Sequence, residues 1–213
     1  MCMKSKGEKR MIFAYNKAHV GDCLMVICAN DKNMEQTVER KGNVAQIKTV
    51  DGTIVGYNFF EVSTYLPLTA QGQVKLTQEQ VNVLNEELQK SGFAERLTYD
   101  ASPKFMVGFV KECVPHPDSD HLSITQIDFD GKHESLQIVC GAPNIRKNLK
   151  VVVALPGAMM PDGMMIWPGE LRGEKSFGMI CSARELQLPN APMKRGILEL
   201  GPDAVVGSEF VLA

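Results

Sequence analysis

The sequence predicts two domains in series, a small α+β domain over residues 11–98 and an all-β, barrel-like domain over residues 103–213. Three observations predict it. One stretch, residues 77–92, has a helical period with both caps. The segment after it, ERLTYDASPKF, is poor in apolar residues until Phe105 and carries Pro103, so the linker falls near Thr98 to Pro103. Everything beyond reads as short apolar strands broken by Gly and Pro turns. A chain of 213 residues has room for two such cores.

In the first domain, MIFAY and CLMVICA are short apolar runs, and NVAQIKTV-DGTIVGYNFF is a hairpin candidate. Its turn is Asp51-Gly52, a strong short-range hairpin signal, with Val44, Ile47, Val50, Ile54 and Val55 around it. The helix opens on a capping box, Thr77 with Gln80, places Val81, Leu84 and Leu88 on one face, and stops at Gly92. The domain has no phosphate loop, no metal-ligand spacing and no nucleophile beside an obvious base.

In the second domain KFMVGFVKEC is a first strand and HPDSD a turn whose Asp118, Ser119 or Asp120 can hydrogen-bond nearby amides. LSITQIDFD is the second strand. Its apolar phase runs Leu122, Ile124, then Ile127, Phe129, a slip that predicts a β-bulge near Thr125 and Gln126. Leu136, Ile138 and Cys140 alternate in a third strand, VVVAL is a buried fourth, and MMIW, FGMIC and GILEL are short strands between turns. SARELQL reads as the one small helix, with Ser182 and Glu185 as a second capping box. Many short strands with one small helix suggest an OB-fold-like barrel, an architecture that commonly binds oligonucleotides.

Charge narrows how such binding would work. The net charge is −2; bases and acids number 12 and 12 over residues 1–102, and 11 and 13 over 103–213. Nucleic-acid binding therefore has to rest on a local basic patch and on shape, with modest affinity and strong salt sensitivity. No apolar run is long enough to span a membrane, and the start MCMKSKGEKR lacks the apolar core of a signal peptide, which points to the cytoplasm. The six cysteines are scattered among apolar neighbours and read as reduced, mostly buried thiols.

Several fragments then occur in one order: Val107-Gly108-Phe109-Val110, His116-Pro117-Asp118-Ser119-Asp120-His121-Leu122, residues 136–144 (LQIVCGAPN), 153–158, 171–182 (LRGEKSFGMICS), and a closing 196–207. Together they resemble the tRNA-binding domain at the start of the β subunit of bacterial phenylalanyl-tRNA synthetases and in free-standing tRNA-binding proteins. With the preceding domain included, the chain resembles the bacterial YtpR type, in which a small domain of undefined role comes first. His121 stands where that pattern usually has Lys or Arg, Ser119 where it has Ala, and Lys175 where an acid is common.

The resemblance implies a contact surface that includes Arg172, Ser176 and Met179. This mixture suits folded RNA, since Arg pairs with phosphate, Ser bonds phosphate or 2′-hydroxyl oxygens, and Met offers an adaptable apolar contact. Asn144, Arg146, Lys147, Lys175 and Arg184 are further candidates on physical grounds, against the blander reading of each as a solvated surface group. His116, Asp118, Asp120 and His121 have a zinc-binding composition but no further ligands at suitable spacing, so a turn is the better reading and no metal is expected. Cys140 and Cys181 each follow an apolar pair and have no visible activator, so they read as core and not as nucleophiles. No segment resembles the ATP-handling motifs of aminoacyl-tRNA synthetases. The reading is a non-catalytic tRNA-binding protein without cofactor, with tRNA as partner and a translation-machinery protein or a second copy of the chain as further candidates. The alternative is a protein-interaction or chaperone-like module using the same barrel.

Overall fold

A computed structural model describes residues 11–69 and 71–212. Cys2 lies outside the described residues. The chain divides into two compact units between Ser102 and Pro103, and it is mainly β with few helices. Among the described residues no helix is long and apolar enough to cross a membrane.

The first unit is built on β1 (Ile12–Tyr15), β2 (Cys23–Ile27), β3 (Gln36–Lys41), β4 (Val44–Thr49), β5 (Ile54–Phe60) and β6 (Gly72–Gln73), with α1 (Lys17–Val20) between β1 and β2 and α2 (Gln78–Lys90) at the end. All pairings are antiparallel, in the order β3-β4-β5-β2-β1-β6. The β4–β5 hairpin turns at Asp51-Gly52, where the Gly52 amide bonds Thr49 O at 2.8 Å. The capping box on α2 is present: Gln80 N–H donates to Thr77 Oγ1 at 3.2 Å, and Thr77 N–H donates to Gln80 Oε1 at 2.9 Å. Val81, Leu84 and Leu88 are fully buried and pack with Phe13, Leu24, Val44 and Phe59 of the sheet. Strand β3 had no apolar signal because every one of its six residues is exposed, and backbone pairing to β4 alone defines it.

The second unit contains β7 (Phe105–Pro115), β8 (Ser123–Asp128), β9 (Leu136–Cys140), β10 (Lys150–Ala154), the hairpin β11 (Gly169–Leu171) and β12 (Glu174–Ser176), β13 (Met179–Ile180) and β14 (Glu199–Leu200). The sheet order is β13-β10-β7-β8-β9, with β14 also on β10. Among the described residues no strand ladder joins β9 to β13. The end of β12 and the residues after it instead reach β9, through Phe177 N–H to Gln137 O at 2.9 Å, Val139 N–H to Ser176 Oγ at 3.1 Å and Gln137 Nε2 to Lys175 O at 2.9 Å. The interior is filled by Met106, Val110, Ile127, Phe129, Ile138 and Val153, while Val152 and Ala154 bury the opposite side of β10 against Ala158, Met160 and Leu186. Gly108 sits where that interior is tightest. A Cβ there would overlap Ile127 Cγ2 and lie 3.0 Å from Val153 Cγ2, so only glycine fits without displacement.

Three local expectations are corrected. The expected bulge is on the neighbouring strand, since register shifts between Val110 and Glu112 of β7 while β8 pairs regularly with β9. The apolar phase of β8 does not slip, because Thr125 fills a core position at 0% exposure, its hydroxyl donating to Ile138 O at 2.7 Å. SARELQL forms its capping box, Glu185 N–H to Ser182 Oγ at 3.2 Å and Ser182 N–H to Glu185 Oε2 at 2.7 Å, yet makes only a turn. Gln187 turns left-handed at φ 50°, and Pro189 disfavours helical backbone at Leu188. Residues 164–167 contribute one bridge, Met159 with Met165, and no strand.

Candidate nucleic-acid interface

The β11–β12 hairpin carries three of the candidate residues, Arg172, Lys175 and Ser176, and is tightly docked. Its two-residue turn is Arg172-Gly173, with φ of 48° and 86°, the positive values a tight hairpin of primed type requires. A non-glycine residue held left-handed needs support, and the turn at residues 116–121 supplies it. Arg172 is exposed and donates from Nη1 to Asp118 O at 2.8 Å. His116 is 3% exposed and is bonded through both nitrogens. Its Nδ1 accepts the Asp118 N–H at 3.0 Å, which leaves Nε2 to carry the proton and donate to Leu171 O at 3.2 Å. The His-Pro turn and the Arg-Gly hairpin, 55 residues apart, are thus clamped by an imidazole and a guanidinium. His121 pairs with the exposed Asp120 at 2.8 Å, and this contact holds the Asp120 carboxyl below its ordinary range.

Ser176 stands elsewhere than its motif suggested. It is 5% exposed, accepts the Val139 N–H, and donates to Gly178 O at 3.4 Å. Its hydroxyl serves the backbone of the closing segment, because alternation along β12 turns Ser176 inward and leaves Lys175 and Phe177 exposed.

Asn144 and Arg146 are also occupied. The Asn144 amide mimics a peptide group: Oδ1 accepts the Ile197 N–H at 2.9 Å and Nδ2 donates to Ile197 O at 3.0 Å. Arg146 makes a bidentate pair with Glu199, at 2.9 and 2.7 Å. These Arg146 bonds, with a further one from Asn144 Nδ2, hold the Glu199 carboxyl down at about 2. Arg146 is therefore a partner of Glu199 in this structure, whereas Lys147, Lys175 and Arg184 are exposed and their side chains have no ion-pair partner among the described residues.

A groove of about 900 Å³ lies beside these elements, lined by Asn144, Met179 and Arg184 from among the candidates, and by Lys194, Arg195 and Ile197. Lys194 and Arg195 were missed because the Pro- and Gly-flanked run Pro192 to Gly196 reads as a turn, and only the fold brings that turn beside Met179 and Arg184. Burial raises the Cys140 thiol and pushes Cys181 up to about 12, so neither supplies a thiolate near neutral pH. Among the described residues no group of three His, Cys, Asp or Glu side chains is placed to hold a metal ion.

The second unit falls in a recognised class. Residues 105–209 match the family described as "Putative tRNA binding domain", and residues 31–100 match "Domain of unknown function (DUF4479)". The β subunit of phenylalanine–tRNA ligase from Vibrio parahaemolyticus is 48% identical over 104 residues, covering 49% of this chain and 13% of that subunit. The "Putative tRNA-binding protein YtpR" of Bacillus subtilis is 44% identical over 199 residues, 92% of this chain and 97% of that protein. The chain belongs to the YtpR family. A crystal structure of a MetRS related protein from Pyrococcus horikoshii superposes loosely on 54% of this chain and 99% of that one, at 19% identity and a TM-score of 0.38.

Proposed function

We propose that residues 103–213 form an OB-type barrel that binds structured tRNA by shape and phosphate contacts, without catalysing a reaction on it, in the cytoplasm. One observation carries the reading. In a unit with 13 acids and 11 bases, exposed Lys147, Lys175 and Arg184 have no ion-pair partner among the described residues, and exposed Arg172, near enough to Asp120 to help lower its carboxyl, is held in place by the turn that carries Asp118 and His116. Barrel closure is supported by the bonds that Phe177 and Val139 make across the gap between β9 and β13. The names of the relatives support tRNA as the ligand. Such a protein would retain or deliver tRNA for a partner of the translation machinery, as a monomer or a homodimer.

Binding of labelled bulk tRNA by the full chain and by Arg172→Ala/Lys175→Ala, across a salt series, tests this. Saturable binding that weakens with salt is expected, with a salt slope about 1 to 2 smaller in the variant. No binding by the folded chain at low salt would overturn the reading. It would favour a protein-docking role, for which the exposed Met164 and Met165, 44% and 38% accessible, are the visible apolar patch.

A further inference from the structure

The groove beside Met179 has a charge that the overall count conceals. Each acid lining it is already engaged: Glu199 by Arg146 and Asn144, Glu185 by the Ser182 N–H at 2.7 Å, and Asp162 by the Met164 N–H at 2.9 Å. Its three bases, Arg184, Lys194 and Arg195, are exposed and have no acidic partner among the described residues. Glu199 is offset by Arg146, and against the remaining carboxylates of Glu185 and Asp162 the three bases leave a net charge of +1 at the groove. Between the bases the lining is apolar, with Met179 half-buried and Ile180 and Ile197 buried.

The basic loop is anchored at both ends. At its start the Ala191 N–H bonds Leu188 O at 3.3 Å. At its end Asn144 grips Ile197 in both directions and lies so close to Gly196 that a Cβ there would be 2.7 Å from Oδ1. Lys194 and Arg195 thus sit in a short loop held at each end, which limits the ordering cost of using them.

We propose that this groove is a binding site for an unpaired stretch of RNA about two nucleotides long. Its phosphates lie on Arg184, Lys194 and Arg195, and a splayed base lies against Met179 and Ile197. A duplex offers the phosphates but keeps its bases stacked inside, away from the recessed apolar lining. An acidic peptide offers charge without a flat apolar face. Unpaired RNA offers both. The inference rests on the tRNA reading and adds to it the element of tRNA that is gripped, an unpaired end or loop.

The test uses the full chain and Lys194→Ala/Arg195→Ala. Both substituted side chains are exposed, and retention of fold is read from Trp167 fluorescence, Trp167 being the one tryptophan. Labelled tRNA, a short unstructured oligouridine and an RNA duplex of equal charge are titrated against each. Oligouridine should bind more tightly than the duplex and weaken about ten-fold in the variant, the loss expected for two phosphate contacts. The inference is overturned if oligouridine fails to bind where tRNA does, if it binds the variant equally well, or if a polyglutamate peptide displaces it as effectively as unlabelled oligouridine. Loss of the oligouridine signal alone leaves the tRNA reading standing, whereas loss of the tRNA signal in the intact protein removes both.

Discussion

Ser176→Ala separates two roles for a residue whose motif points to RNA. In this structure the Ser176 hydroxyl accepts the Val139 N–H at 3.1 Å in a place where Ser176 is 5% and Val139 8% exposed. Alanine removes the acceptor and admits no water easily, so a buried amide is left unpaired, at a cost of about 1–3 kcal/mol. The bond to Gly178 O, at 3.4 Å, is too long to add much. Because that amide belongs to β9 and Ser176 ends β12, the loss falls on the seam between β9 and the segment leading into β13. Urea unfolding followed by Trp167 emission reports the second unit, since Trp167 is the one tryptophan in the chain. With a slope of about 1–3 kcal/mol per molar, the midpoint should fall by roughly 1 M. Binding of tRNA to the still-folded variant at low urea should change by less than about two-fold, since 0.4 kcal/mol or so is all a remote hydroxyl would contribute. An unchanged midpoint with a large loss of tRNA affinity would refute the reasoning and return Ser176 to the RNA surface.

Three further outcomes are expected. His116→Phe keeps most of the buried volume but removes both ring bonds, so it should lower stability by about 1–3 kcal/mol and weaken tRNA binding by loosening the hairpin that carries Arg172; unchanged affinity in a stable variant would show that the clamp does not position Arg172. The Glu199 carboxyl is held at about 2, below its ordinary 4.5, so its contribution is complete above that ordinary range and is lost as pH falls through about 2. Acid unfolding of the wild type should show this loss below pH 4.5, and Glu199→Gln should flatten that part of the curve; identical acid limbs would count against the pair with Arg146. Gly108→Ala forces a methyl into Ile127 and should cost about 1–3 kcal/mol in thermal or urea unfolding, whereas an Ala variant as stable as the wild type would mean the interior is looser than described.

The elements that the sequence showed clearly were those whose signal is local. Thr77 and Gln80, three residues apart, are both halves of a capping box, and Val81, Leu84 and Leu88 share a helix face whatever lies opposite. Asp51-Gly52 likewise turns a hairpin by its own backbone preference. Where partners are distant the reading failed. Thr125 looked like a break in the apolar phase because its satisfying acceptor, Ile138 O, belongs to another strand. Strand β3 was invisible because nothing of it is buried. The box at Ser182 and Glu185 was read correctly as a local motif, but Pro189 and the left-handed Gln187 kept it to a turn.

The same division holds for the candidate site. By itself the sequence determined the class of the second half, through motif fragments in fixed order, and it determined that any basic patch must be local, because acids and bases nearly balance. It also named five candidate bases, Arg146, Lys147, Arg172, Lys175 and Arg184, and passed over Lys194 and Arg195. Only the tertiary structure decided which are free. Arg146 is neutralised by Glu199, 53 residues away, Ser176 is turned inward to serve Val139, and Lys194 and Arg195 are brought beside Met179 and Arg184. The physical reason is that a residue type sets what a side chain can bind, whereas burial and the competing partner that folding brings to it set whether that capacity remains for a ligand.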